Sequence, residues 1–161
     1  MKIRNPAIIV LALVLSASVT SAAEALWPQD SASDFSVFVT LLRFRINADH
    51  CSAKVPELKP KFDSLMEDVT THVQGIAKGL LASDKFMDMK DKPVPVEIID
   101  AFRDSFDDTR HNFERRDAAL ICPQTLQDLG EMDDESLKSG LTEILTGVQV
   151  MIRNLEKKGA R

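Results

Sequence analysis

Leu58, Phe62, Leu65, Val69, Val73, Ile76 and Leu80 follow one another at steps of three and four residues, a seam that one side of an α-helix presents. The same spacing recurs in Ile99, Phe102, Phe106, Phe113 and Leu120. It appears again in Leu137, Leu141, Ile144, Val148, Met151 or Ile152, and Leu155. No alternating stretch of period two, bounded by turn residues, competes with these stripes, so the chain is expected to be all-α.

Caps and prolines set the expected boundaries. Helix 1 runs from about Ser33 to His50, with Asp30 or Ser31 as N-cap just after Pro28. Helix 2 starts at "VPELKP", where Pro56 and Pro60 are tolerable only near the first turn, and continues to about Asp84. "DMKDKPVP" is a loop rich in charge and proline. Helix 3 follows from about Pro95 to Ile121 and is closed by Cys122-Pro123. A short helical segment, Gln124 to Leu129, breaks at Gly130, and Asp133 or Asp134 caps helix 4, which reaches about Lys157. Helices of this length with short connections pack as an up-down-up-down four-helix bundle.

The first residues have a different layout. Lys2 and Arg4 precede an apolar run from Ala7 to Leu15, and small residues follow in "SASVTSAAEA". This is the pattern of a secretory signal peptide over residues 1–23, with cleavage after Ala23 or Ala25. The run falls short of the roughly 20 apolar residues that span a bilayer. A single helical-bundle domain, 24–161, remains, with no stable membrane insertion expected of it. A periplasmic or secreted location follows, and a bacterial source suits both the short signal and the lack of any Asn-X-Ser/Thr sequon. The formal net charge of −5 becomes more negative once Lys2 and Arg4 are removed. With no basic cluster, nucleic acid is not an expected partner.

His50-Cys51 invites a reactive thiol, since a protonated imidazole lowers the pKa of a neighbouring cysteine. In an oxidising compartment, however, two cysteines pair. Helices 1 and 3 of an up-down-up-down bundle run parallel, which puts Cys51 and Cys122 at one end. One disulfide linking the ends of helices 1 and 3 is therefore expected, closing a loop of about 70 residues and contributing roughly 4 kcal/mol.

Helix 1 carries more apolar surface than an ordinary bundle helix. Phe35, Val37, Phe38, Val39, Leu41, Leu42, Phe44 and Ile46 leave only a polar ridge of Ser36, Thr40, Arg43 and Asn47. Either this helix is central, aided by Leu26-Trp27-Pro28, or residues such as Val37, Leu41 and Phe44 face a partner. Arg45 lies within the apolar arc with Asp49 one turn on, and Arg110 and Asp117 fall within the stripe of helix 3. Buried charge is costly without a partner. Two arrangements are open: pairs Arg45–Asp49 and Arg110–Glu114 reaching the rim, or a cavity where Arg45 and Arg110 hold an anionic ligand or an acidic side chain; Asp49, beside Arg45, is counted with them as a possible binding residue.

Gly75 with Gly79, and Gly140 with Gly147, suggest close helix approaches or local flexibility. His72 sits at the edge of the helix 2 seam and is expected to be partly buried, whereas His111 faces solvent. Met87 and Met89 are weak candidates for Cu(I) coordination, or else fill gaps in the bundle. No nucleophile elbow, H-E-x-x-H or phosphate-cradling glycine loop is present, and Asp104, Asp107 and Asp108 alternate with Arg103 and Arg110 as on a solvated face. No enzymatic activity and no cofactor are expected. The chain is expected to bind noncovalently to another exported protein or to itself, as an adaptor, chaperone or inhibitor; the alternative is carriage of a small ligand or copper.

Overall fold

The computed structural model describes residues 27–159, so the expected signal peptide lies outside the described residues. Among them are five α-helices and no strand: α1 (Ala32–Lys54), α2 (Lys59–Leu81), α3 (Val96–Glu114), α4 (Ala118–Gly130) and α5 (Asp134–Gly159). Short 3₁₀ turns, Pro56–Leu58 and Met87–Met89, lie between α1 and α2 and between α2 and α3. The all-α class holds, but the helix count is five rather than four. The expected third helix is cut in two after Glu114. Asp117 accepts a hydrogen bond from the backbone N–H of Ala119 at 3.0 Å and so caps a new helix instead of continuing the old one. Pro123 lies inside α4 and does not end it. The carbonyl that loses its helical donor there belongs to exposed Ala119, where water can replace it.

Ser31, not Asp30, caps α1, its Oγ accepting from the Asp34 N–H at 3.2 Å. The inward line of α2 runs through Phe62, Met66, Val69, Val73 and Ala77, which leaves Leu65, Ile76 and Leu80 half-buried on its flank. In α3, Ile98, Ile99 and Phe113 are buried, while Phe102 and Phe106 are half-buried. Leu137, Leu141, Leu145, Val148 and Ile152 form the inward line of α5.

Contacts between rings give helix directions. Phe35, early in α1, meets Phe102 at 5.3 Å, and His50, late in α1, meets Phe113 at 5.2 Å, so α1 and α3 run the same way. Near the end of α5, Gln149 donates from Nε2 to the Lys85 carbonyl and to Asp88 Oδ1, both at 3.0 Å. Lys92, just before α3, pairs with Glu156 at 3.0 Å. The last turns of α5 therefore lie at the end where α1 and α3 begin.

α1 touches each of the other four helices. This central position explains its composition, and it corrects the expected polar ridge: Ser36 and Thr40 are buried. Their hydroxyls donate to carbonyls one turn back, Ser36 to Ala32 at 2.7 Å and Thr40 to Ser36 at 2.8 Å. A hydroxyl satisfied by its own helix can face a core, and so behaves there as a small apolar group. Trp27 caps the arrangement, packing on Phe35, Phe38 and Phe106. One core cluster lies among α1, α2, α5 and the start of α3, and a second surrounds the disulfide; Phe44 packs against both.

The glycines do not mark close approaches within the fold. A Cβ built at Gly75, Gly79, Gly140 or Gly147 would meet nothing within 4 Å. Gly75 and Gly79 are exposed in the interior of α2, where glycine costs entropy without gaining contact. Gly75→Ala and Gly79→Ala are each expected to stabilise the protein by up to about 1 kcal/mol. Urea unfolding would show this as a higher midpoint, and a lower one would contradict the open surroundings.

Candidate functional site

Cys51, near the end of α1, and Cys122, within α4, form a disulfide with a Cα–Cα separation of 5.4 Å, and both residues are fully buried. The pairing is the expected one; the partner of α1 is α4, not the end of α3. Among the described residues no cysteine is free, so His50 has no thiol to activate. Its ring stands edge-on to Phe113, with an interplanar angle of 89°, and its Nε2 is buried without a hydrogen-bond partner. One turn back, Asn47 Oδ1 is buried and unpaired as well. The His50 ring is half-buried against α3.

The two arginines are not brought together. Arg45 is exposed, and among the described residues it makes no ion pair within 4 Å. It acts on Asp49 only through its field. Asp49 belongs to a patch at the α1–α2 corner that includes Lys59 and Asp63, themselves paired at 2.6 Å. Asp49 is exposed, but partial desolvation of its carboxyl raises it above the usual carboxylate range, the Arg45 and Lys59 charges pull it down, and Asp63 pushes it up again. Arg110 pairs with Asp107 at 2.8 Å, one turn back, and not with Glu114 one turn on. Neither arginine lines the shallow surface depressions along α5 or between Lys92–Glu97 and the end of α5. Asp117, expected in the helix 3 stripe, is the exposed cap of α4.

The pH consequence for Asp49 has a definite sign. The folded chain holds this proton to higher pH than the unfolded chain does, so its contribution is full at acid pH and is lost as pH rises through the folded value. Asp49→Asn is expected to match the parent at about pH 3 and to exceed it in stability at about pH 7. Denaturation midpoints at the two pH values check this; an equal difference at both would contradict it.

Val37, Leu41 and Phe44, the residues weighed between central burial and a partner-facing side, pack half-buried against the core. The methionine pair is split: Met87 is 60% exposed, whereas Met89 is fully buried in the core with Phe86 and Val94. Both belong to the 3₁₀ turn Met87–Met89, which turns one side chain outward and the other into the core. No group of three or more His, Cys, Asp or Glu side chains suited to a metal ion occurs among the described residues. His72 is exposed, with Nδ1 3.4 Å from Asp134 Oδ1, and His111 is exposed as expected.

The surface features missed at the sequence level are apolar side chains left outside. Leu120, placed in the core stripe by spacing, is 74% exposed on α4, beside exposed Ala119 and Pro123. Val96 on α3 and Val150 on α5 are 59% and 48% exposed. Among the described residues, no helix is long and apolar enough to cross a membrane. Comparison with protein-family models, with curated proteins and with solved structures finds no match to the chain.

Proposed function

We propose that this is an exported protein, periplasmic or secreted, which acts by noncovalent binding to protein surfaces as an adaptor, chaperone or inhibitor. Its frame is four long helices, alternately up and down, with α4 inserted between the last two to carry Cys122. The fully buried disulfide supports export, because such crosslinks persist in oxidising compartments. The observation that carries the binding reading is the patch of Leu120, Ala119 and Pro123 on the outward side of α4. The inward side of that helix is already filled by Ile121, Cys122 and Leu129, so the exposed leucine has no role in the core.

Two measurements test the reading. Mass spectrometry of the chain recovered from the periplasm of a bacterial host is expected to show cleavage after Ala23 or Ala25. A photoreactive side chain at position 120 is expected to give discrete protein adducts in the cell envelope. An uncleaved cytoplasmic chain would overturn export, and the absence of adducts would overturn binding through α4.

A further inference from the structure

We propose that a second copy of this chain docks on the outward side of α5, the two α5 helices crossing antiparallel about a two-fold axis near Val148. The proposal goes beyond the α4 binding reading: it concerns a separate surface, on α5, and names a second copy of the chain as its occupant. It starts from a helix whose opposite side is fully used: Leu137, Leu141, Leu145, Val148 and Ile152 all face the core. The outward ridge is Ser139, Glu143, Thr146, Val150, Arg153 and Lys157, again at steps of three and four.

Three features of this ridge point to a helix as its occupant. Val150 stands at its middle with 48% of its surface open to solvent. Thr146 beside it already donates its hydroxyl to the Thr142 carbonyl at 2.7 Å, so it needs no polar group from outside. Gly147 and Gly140 flank the ridge, and nothing within the fold occupies the space their side chains would fill. Each weakens an isolated helix, and a partner backbone passing close to α5 would offset that cost.

Charge decides between a second copy and an unrelated helix, and fixes the direction. The first half of α5 carries Asp134, Glu135 and Glu143 against Lys138, and its end carries Arg153, Lys157 and Lys158 against Glu156, which is already paired with Lys92. An antiparallel copy centred near Val148 sets Glu143 opposite the second copy's Arg153, Thr146 opposite Val150, and Ser139 opposite Lys157. A two-fold interface repeats every such contact, so each charge pair occurs twice. Parallel pairing would instead set Glu143, Arg153 and Lys157 each against its own copy. Among the described residues the Arg153 guanidinium makes one ion-pair contact, a long one to Asp88 at 3.8 Å, and its side chain is 54% exposed.

Sedimentation velocity over a range of concentrations, on the disulfide-bonded chain as recovered after export, tests the interface. A dimer is expected. Glu143→Arg and Arg153→Glu should each weaken it by about 10-fold or more, and the two changes combined should restore most of the affinity. Gly147→Leu should also dissociate it, whereas Gly75→Ala on α2 should leave it intact. A monomer at every concentration, or a dimer indifferent to all the α5 changes, would overturn the proposal. Discrete adducts from position 120 alongside a monomer would leave the broader binding reading standing, and their absence would remove that reading too.

Discussion

Reduction of Cys51–Cys122 is expected to lower the unfolding free energy by about 4 kcal/mol, the chain-entropy value for a crosslink spanning 71 residues. Guanidinium unfolding with and without reductant measures it, and a change below about 1 kcal/mol would mean that the unfolded chain is already restrained near these positions. The effect is also expected to be local. α4 packs on α1 and α2 through Ile121, Cys122 and Leu129 alone among its buried side chains, and its Pro123 lacks a helical donor. Loss of the crosslink should therefore raise amide exchange over Ala118–Gly130 before it does so in α2 or α5.

Phe35→Ala should cost about 3–5 kcal/mol, the range for truncating a fully buried aromatic ring. Phe35 is completely enclosed, with Phe102 edge-on at 5.3 Å and Trp27 at 6.0 Å. Its removal leaves a cavity at the junction of α1, α3 and the segment before α1. Near-ultraviolet circular dichroism of Trp27 should weaken together with the thermal midpoint. A midpoint lowered with an unchanged Trp27 signal would show that the aromatic group does not act as a unit. The comparison variant is Leu120→Ala, exposed and uncovered, for which little change in stability is expected.

Much of the frame was legible because strong signals agree. The heptad-like spacing in α2 and α5, the prolines at 56 and 60, and the two cysteines all depend on local chemistry, and local chemistry is written in order along the chain. What escaped depends on competition between neighbours. The break after Glu114 is a contest between helix continuation and capping by Asp117, and residue spacing alone does not record the winner. Arg45 projects onto an apolar arc, yet the apolar arc of α1 is not one face. Toward its start the buried side includes Ser36 and Thr40; toward its end the buried residues are Ala48 and Cys51. The side that is buried shifts along the helix, because different partners cover its two halves. A single helical projection averages over that shift and places Arg45 inside. Leu120 was misassigned for a related reason: its spacing continued the α3 stripe, but it lies on a different helix. The methionines separated because a 3₁₀ turn, unlike an extended strand, does not keep alternate side chains on one side.

The central position of α1 also governs the order in which the chain can become a protein. α1 is synthesised before the helices it touches, and its contacts with α5 join segments roughly 100 residues apart, a wide separation for a helical domain. A nascent chain that has made only α1 and α2 has no closed core, since the faces of α1 that meet α3, α4 and α5 stay wet. Closure waits for the last helix. On the proposed export route, this late closure keeps the chain loose during transit and sets folding and disulfide formation on the far side of the membrane.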